Sequence, residues 1–427
     1  ATQWRIGWRP AIHARQTTSR FALVRAGHGP QQRATAGSGH KTPAQTAKTG
    51  IGRGLILFWN DAVKRFKKLY LHIGLGKTGT TSVQRDILAN ARLLESEHGI
   101  FYPTQFPHER HFQGNHSILL RALYASHSDV RGRLAARGLE STDQLAAYNK
   151  QTLACLERGF ARTDAHSLML SAESVAHFYR PDMLELAQWL AGYADEVVVL
   201  ACVRHPVHAL SSEIQQRLNI GSVLEDLYQD PPFYRFKSLF QRVLRAFGED
   251  ALVVYDFSDA VADSRGLTRV MFAQLGIELG EQFRPRPPAN TSMSHEAALL
   301  ISALNRSLPV LVDGSRNPLR RANEIQRLAR IPGRKYTAPV AVYEQVIEVM
   351  KPDLEWLQEH YGLTLDARYP DPGVAYDSFS PESIEALALE MAAYSRLRYS
   401  LVSPLISAYA GVRLMGSKCY RALGGGR

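Results

Sequence analysis

The chain has 427 residues, of which 45% are hydrophobic, and a formal net charge of +11. The length suffices for one large α/β domain with additional segments or for two domains, and the hydrophobic content is typical of a soluble globular protein. The positive charge favours an anionic ligand, and the lack of any apolar run of about 18 residues predicts that no helix spans a membrane.

The three cysteines, Cys155, Cys202 and Cys419, are scattered along the chain. Their number is odd, and their spacing matches neither a metal-binding cluster nor a disulfide framework, so a reducing compartment is indicated. We therefore expect a cytoplasmic protein that contacts a membrane at most peripherally. No residues show metal-ligand spacing, and we expect no bound metal.

The first 50 residues contain neither Asp nor Glu and are rich in Arg, Thr, Gly and Ala. This composition predicts a disordered basic tail over residues 1–54. An Arg-rich leader without acidic residues is also typical of an organelle transit peptide, which is the alternative. We predict an α/β core over residues 55–300, a helical completion of the same domain over 301–375, and an amphipathic helical tail over 376–427.

The stretch from Leu69 to Ser82 predicts a buried strand, a glycine-rich turn and the start of a helix that continues to Leu94. Glycines in the turn let a ligand approach the main chain closely. The amide donors and dipole of a helix start suit a phosphate or sulfate group, and Lys77 adds a full positive charge. We therefore predict an anion site made of Gly76, Lys77, Thr78, Gly79, Thr80 and Thr81.

The order of residues in this turn differs from that of the usual nucleoside-triphosphate loop, Gly-x-x-x-x-Gly-Lys-Ser/Thr. Here Lys77 precedes Gly79 instead of following the last glycine of the loop. An ordinary glycine-rich connection between a strand and a helix is the structural alternative.

A polar segment over residues 106–116 follows the first helix and a short extended piece at 100–103. Loops of this kind commonly build substrate pockets, so Asn115 and His116 are substrate-side candidates. Surface residues of a polar loop are the alternative. Residues 117–162 are predicted to be mostly helical.

Two further strands are predicted to deliver polar residues to the edge of the sheet. Residues 167–171 form the first and lead to Glu173, and the continuously apolar residues 196–203 form the second and lead to Arg204. Ligands of open parallel sheets bind outside the carboxyl ends of the strands, which places Glu173 for chemistry. A terminal phosphate requires a guanidinium fork and a hydroxyl donor, which Arg204 and Ser212 of the next helix would supply.

Later elements are predicted as a strand at 252–256, a helix at 267–275, a stiff basic loop at 284–292, helices at 296–305 and 340–361, and a helix from Pro381 onward. Asp256, at the end of its strand, is predicted to cap a helix rather than to bind a metal.

Two short patterns resemble the nucleotide-binding motifs of sulfotransferases that use 3′-phosphoadenosine 5′-phosphosulfate. They are Lys-Thr-Gly-Thr-Thr at 77–81 and the strand followed by Arg204, Pro206 and Ser212. The resemblance is to bacterial, carbohydrate-sulfotransferase-like members and covers about residues 67–300. It implies a P-loop-like three-layer sandwich with a mostly parallel sheet, helices on both faces and helical C-terminal additions. In one departure, Ser82 stands where the family often has a Trp that stacks on adenine.

The resemblance implies in-line transfer of a sulfuryl group from the nucleotide to a hydroxyl or amine of an acceptor, most simply a carbohydrate. Lys77 would neutralise charge on the departing phosphate oxygen, and Glu173 would be the general base, with His116 and His177 in reserve. A salt bridge from Glu173 to Lys77 or Arg204 is the alternative role of that carboxylate. No metal and no specific nucleic acid are implied.

Two other functions compete with this hypothesis. A P-loop kinase or NTPase lacks support from the loop order and from any aspartate-bearing magnesium strand. A non-catalytic protein that binds nucleic acid or a membrane through its basic tail leaves the paired motifs unexplained. The sulfotransferase hypothesis requires Lys77 and Arg204 to face one cleft, about one nucleotide apart.

Overall fold

The computed structural model describes residues 66–110, 112–124, 141–287, 292–312, 315–320, 323–365 and 379–391, together with Leu134, Leu139 and Arg368. The predicted basic tail at 1–54 and the tail beyond residue 391 lie outside the described residues.

A five-stranded parallel sheet forms the centre of the fold, in the order β2-β3-β1-β4-β5. Its strands are β1 (Phe66–His72), β2 (Ile100–Phe101), β3 (Ser167–Ser171), β4 (Ala194–Val203) and β5 (Leu252–Asp256). A small antiparallel hairpin of β6 (Leu311–Val312) and β7 (Ser315–Arg316) lies outside this sheet.

Helices follow the strands in the sequence. The earlier ones are α1 (Thr80–Ala89), α2 (Ala91–His98), α3 (Ser117–Tyr124), α4 (Thr142–Arg162), α5 (Arg180–Tyr193), α6 (Pro206–Asn219) and α7 (Leu224–Gln229). The later ones are α8 (Phe236–Phe247), α9 (Phe257–Ala262), α10 (Leu267–Ala273), α11 (His295–Ser307), α12 (Glu324–Leu328) and α13 (Val340–Tyr361). Short 3-10 helices occupy Glu173–His177 and Glu249–Ala251, and residues 381–391 are helical.

Alternate residues of the strands enter two separate cores, one on each face of the sheet. In β1, Leu69 and Leu71 belong to the first core and Tyr70 to the second, as the two-residue period of a strand requires. Residues of α5, α8 and α13 complete the first core, and residues of α1, α2 and α10 complete the second. The predicted three-layer α/β sandwich is confirmed, and all five strands of its central sheet run parallel.

The helix predicted to run from the glycine-rich turn to Leu94 is instead two helices, broken at Asn90. The Asn90 side chain donates hydrogen bonds to the carbonyl oxygens of Asp86, at 2.8 Å, and Arg284, at 3.0 Å. Such a local bond competes with the regular helical ladder. Two bonds attach the basic loop to the end of α1: the Asn90 bond to Arg284, and a bond from the Arg286 amide to the Asp86 carboxylate.

The predicted cap at Asp256 is confirmed, since its carboxylate accepts a hydrogen bond from the Ser258 amide at 3.0 Å. The sequence analysis missed α7, α12 and the hairpin, which are short and lack a clear apolar period. None of the helices in the described ranges combines the length and apolarity that a membrane crossing requires.

Candidate functional site

Three connections meet at the carboxyl edge of the sheet, because β3, β1 and β4 are parallel neighbours. Residues 73–79 follow β1, Glu173 follows β3, and Arg204 follows β4. The chain leaves β1 for α1 on one face and leaves β4 for α6 on the other. Connections that diverge in this way open a crevice at the sheet edge. We call residues 74–81 the Lys77 loop.

The Lys77 loop turns tightly before it becomes a helix. Lys77 has a φ of 65°, and Gly79, which precedes α1, has a φ of 72°. The left-handed conformation costs a non-glycine residue about 1–2 kcal/mol, so the surroundings must hold Lys77 in place. The hydroxyls of Thr78 and Thr80 both donate to the Leu75 carbonyl, at 2.6 and 3.3 Å. These two hydroxyls therefore stabilise the turn itself, whereas the leading amides of α1 have no intrahelical acceptor.

Two residues from other elements form hydrogen bonds with the backbone of the Lys77 loop. The Arg204 guanidinium donates to the Lys77 carbonyl at 3.0 Å, and the Gly76 amide donates to the Tyr234 hydroxyl at 2.9 Å. The ring of Phe257 lies 4.8 Å from the Arg204 guanidinium carbon and packs beneath it. Arg204 is thus closer to Lys77 than the nucleotide length we expected, because β1 and β4 are adjacent strands and end side by side.

Two carboxylates, Glu173 and Glu213, influence the Lys77 ammonium. Burial lowers the pKa of Lys77, and the attraction of Glu213 and then of Glu173 opposes this effect. Burial raises the pKa of both carboxyl groups, and Lys77 opposes the rise in each case. Within the described residues, neither carboxylate forms an ion pair of 4.0 Å or less with Lys77 or Arg204.

Glu173 begins the 3-10 helix after β3 and is positioned by the polar loop at 112–117. The Asn115 side chain favours the ionised form of Glu173 and opposes the rise in its pKa, and its carbonyl oxygen accepts from the Ser117 amide at 2.8 Å. The Ser117 hydroxyl accepts in turn from the Ser174 amide at 3.1 Å. A buried carboxyl group with a raised pKa, held in this way, can exchange a proton with a bound hydroxyl.

Two cavities adjoin the Lys77 loop, and both are lined by Gly76 and Tyr234. The large cavity, of about 430 Å³, is lined mostly by polar residues, among them Lys77, Thr81, Asn115, Arg121, Glu173 and His177. The small cavity, of about 10 Å³, is lined by Gly76, Arg204, Glu213 and Tyr234 together with apolar residues. The first has room for a sizeable polar ligand, whereas the second barely admits one water molecule.

The two histidines proposed as reserve bases differ in position. His116 is 1% exposed, and both ring nitrogens are occupied, since Nδ1 accepts from the Ser171 amide at 3.2 Å and Nε2 donates to the Pro103 carbonyl at 2.9 Å. Burial lowers the pKa of His116 to about 4, and its ring is neutral and structural. His177 lines the large cavity, and its ring lies 5.7 Å from that of Tyr234.

The remaining predicted residues are divided between the two cavities. Gly76, Lys77, Gly79, Thr80 and Thr81 line the large cavity, and Thr78 and Arg204 line the small one, where Gly76 also appears. Ser212 lines neither cavity, although the next residue of α6, Glu213, lines the small one.

Several residues of the site were missed by sequence reasoning. Arg121 and Glu109 are both buried and both line the large cavity, and Tyr234 lines both cavities. The only available signal was the stiff aromatic segment around Tyr234, which follows two prolines. No cluster of three or more His, Cys, Asp or Glu side chains that could hold a metal occurs in the described part of the chain.

No protein-family model matches the chain, and no curated protein matches it. Among solved structures, a sulfotransferase from Alicyclobacillus acidocaldarius is 16% identical, with 70% of this chain and 96% of that chain covered and a TM-score of 0.37. The sulfotransferase domain from the Synechococcus PCC 7002 olefin synthase is 14% identical, with coverages of 77% and 96% and a TM-score of 0.31. The sulfotransferase domain from the curacin biosynthetic pathway is 13% identical, with coverages of 62% and 97% and a TM-score of 0.29.

Proposed function

We propose that the chain is a sulfotransferase that moves a sulfuryl group from 3′-phosphoadenosine 5′-phosphosulfate to a hydroxyl or amine of an acceptor, and that the acceptor is a carbohydrate or glycoconjugate. The observation that carries the proposal is the convergence of the Lys77 loop, Arg204 and Glu173 at one edge of the sheet. An anion-binding turn, a guanidinium and a carboxyl group with a raised pKa are the parts that this transfer needs.

The donor's 5′ end would lie on the amides of residues 79–81, close to the Lys77 ammonium. Arg204 and Ser212 would hold the 3′-phosphate, for which the small cavity around Arg204, of about 10 Å³, would have to widen. Arg204 has one guanidinium nitrogen, Nε, that is buried without a partner among the described residues. The Thr78 and Thr80 hydroxyls support the turn, because both donate to the Leu75 carbonyl.

The acceptor would enter the large cavity, whose polar lining suits a polyhydroxylated ligand. Asn115 would orient Glu173, which takes the proton of the attacking hydroxyl. The bond between sulfur and the phosphate oxygen breaks as the new sulfur–oxygen bond forms, and adenosine 3′,5′-bisphosphate leaves. Lys77 would neutralise the charge that develops on the departing oxygen.

A thermal-shift comparison tests the donor class. A ligand that binds only the folded chain raises its apparent stability, so adenosine 3′,5′-bisphosphate should raise Tm and ATP with Mg²⁺ should not. A shift with ATP and Mg²⁺ alone would instead favour a kinase or NTPase. Transfer of label from ³⁵S-labelled donor to a panel of glycans then identifies the acceptor.

A further inference from the structure

Glu213 is a buried carboxyl group to which the proposed function gives no role. It lies on α6, is 6% exposed, and lines the small cavity with Arg204 and Tyr234. Its Oε1 atom has no hydrogen-bond partner among the residues that the structure describes. An isolated buried charge is strongly unfavourable, so this carboxylate requires a compensating charge nearby.

Two cations favour the charged form of Glu213 and oppose the rise in its pKa, first Lys77 and then Arg217 of the same helix. A Cβ atom placed on Gly76 would collide with Glu213 Oε1 and with the Tyr234 hydroxyl, so the carboxylate lies directly against the main chain that precedes Lys77. Glu213 also acts on Lys77 more strongly than Glu173 does. No ion pair of 4.0 Å or less joins the Lys77 and Glu213 side chains among the described residues, so the attraction between them acts at longer range.

We propose that Glu213 partly neutralises the Lys77 ammonium when no donor is bound, and that the phosphosulfate end of the donor must compete with its negative charge in order to bind. This inference rests on the proposed function for the identity of the anion. Glu213 is then a positioning residue that lowers the affinity of the Lys77 loop for anions. Anions that interact only weakly with the loop are therefore not bound.

Glu213→Gln keeps the shape of the side chain and removes its charge. We expect this variant to bind adenosine 3′,5′-bisphosphate about tenfold more tightly in isothermal titration calorimetry, because the anion no longer competes for Lys77. The matched control is Glu196→Gln, a surface change at a carboxylate paired with Lys68, which should leave the affinity within about twofold. Unchanged or weaker binding by Glu213→Gln overturns the inference.

A double-mutant cycle with Lys77→Met shows whether Glu213 acts on the ligand through Lys77 or repels the ligand directly. Without Lys77, a buried Glu213 takes up a proton and ceases to repel the ligand, so Glu213→Gln should gain less than about twofold in the Lys77→Met background. An equal gain in both backgrounds overturns the inference.

The same cycle on urea unfolding of the ligand-free protein distinguishes this inference from the proposed function. The double variant should be more stable than the sum of the two single changes predicts, because either single change already removes the attraction between Lys77 and Glu213. If the wild-type protein does not bind the bisphosphate, the proposed function fails, while coupling in unfolding still supports the Lys77–Glu213 pair. Binding without any coupling overturns the pair and leaves the proposed function standing.

Discussion

The two cavities that adjoin the Lys77 loop differ in what they do for the same residues. At the small cavity, Arg204 and Tyr234 hydrogen-bond to the backbone of the loop, and almost no space remains. At the large cavity, the loop presents Lys77 and the start of α1 to polar space of about 430 Å³. We infer that the hydrogen bonds from Arg204 and Tyr234 hold the strained turn at Lys77 in place. The loop can then exchange ligands in the large cavity without a change in its own conformation.

The largest effect is expected from Lys77→Met, which removes the charge that faces the large cavity. We expect kcat to fall about 1,000-fold, because charge on the departing phosphate oxygen is no longer neutralised. Transfer of label from the ³⁵S donor measures this loss. Lys68→Met, at an exposed position near the start of β1, is the control, and an activity within tenfold of wild type in Lys77→Met would contradict the comparison.

Glu173→Gln tests whether the chemistry belongs to the large cavity. We expect kcat to fall about 100- to 1,000-fold while the Kd for adenosine 3′,5′-bisphosphate stays within about twofold. Burial raises the pKa of Glu173, and a general base acts in its ionised form, so the wild-type rate should rise with pH through that raised pKa. The variant should lose this limb of the pH profile. Loss of nucleotide binding in Glu173→Gln would exclude a role as base alone.

The stability of the fold around the buried ring of His116 is predicted to decrease in acid. Burial lowers the pKa of the His116 ring from its ordinary value of about 6.5 to about 4. The unfolded chain therefore binds a proton first, and stability falls as pH decreases from about 6.5 to about 4, by about 3 kcal/mol. Urea unfolding at several pH values should show this slope, and His116→Asn should reduce it without abolishing it, because burial also lowers the pKa of His72 to about 4. The surface change His360→Asn should leave the slope intact; if it reduces the slope equally, His116 is not the cause.

Tyr234→Phe, which removes the hydroxyl that supports the Lys77 loop, is expected to have a smaller effect on stability and nucleotide affinity. The Gly76 amide loses its acceptor, which costs about 1–3 kcal/mol of unfolding free energy. Because the loop is then less well held, the Kd for adenosine 3′,5′-bisphosphate should rise several-fold. Tyr228→Phe removes a hydroxyl that hydrogen-bonds Tyr336 and should cost stability without changing nucleotide affinity. Equal changes in affinity for the two variants would show that the effect is not specific to the loop.

Much of the fold could be predicted, because strands and their ends carry local signals. The apolar runs at β1, β3 and β4 and the polar residues after them place Lys77, Glu173 and Arg204 at one sheet edge before any coordinates are known. The break at Asn90 could not be predicted in this way, since it depends on a bond to Arg284, far along the chain.

The residues that support the Lys77 loop were also not predictable, because their contacts join segments that are far apart in the sequence. Tyr234 lies in a loop between α7 and α8 and reaches Gly76 only in the folded chain, and Glu213 is one acidic residue among many on a helix. The sequence identifies residues that resemble a motif. It does not identify the neighbours from distant segments that hold the motif in its working conformation.

The position of β1 has a consequence for biosynthesis. This strand emerges first among the five, yet its two neighbours begin only at Ser167 and Ala194. During synthesis β1 cannot pair until β3 and β4 have been translated. Until then it is an exposed apolar segment that can associate with other chains. Conditions that slow elongation before β4 should therefore reduce soluble yield more than equal delays after β5.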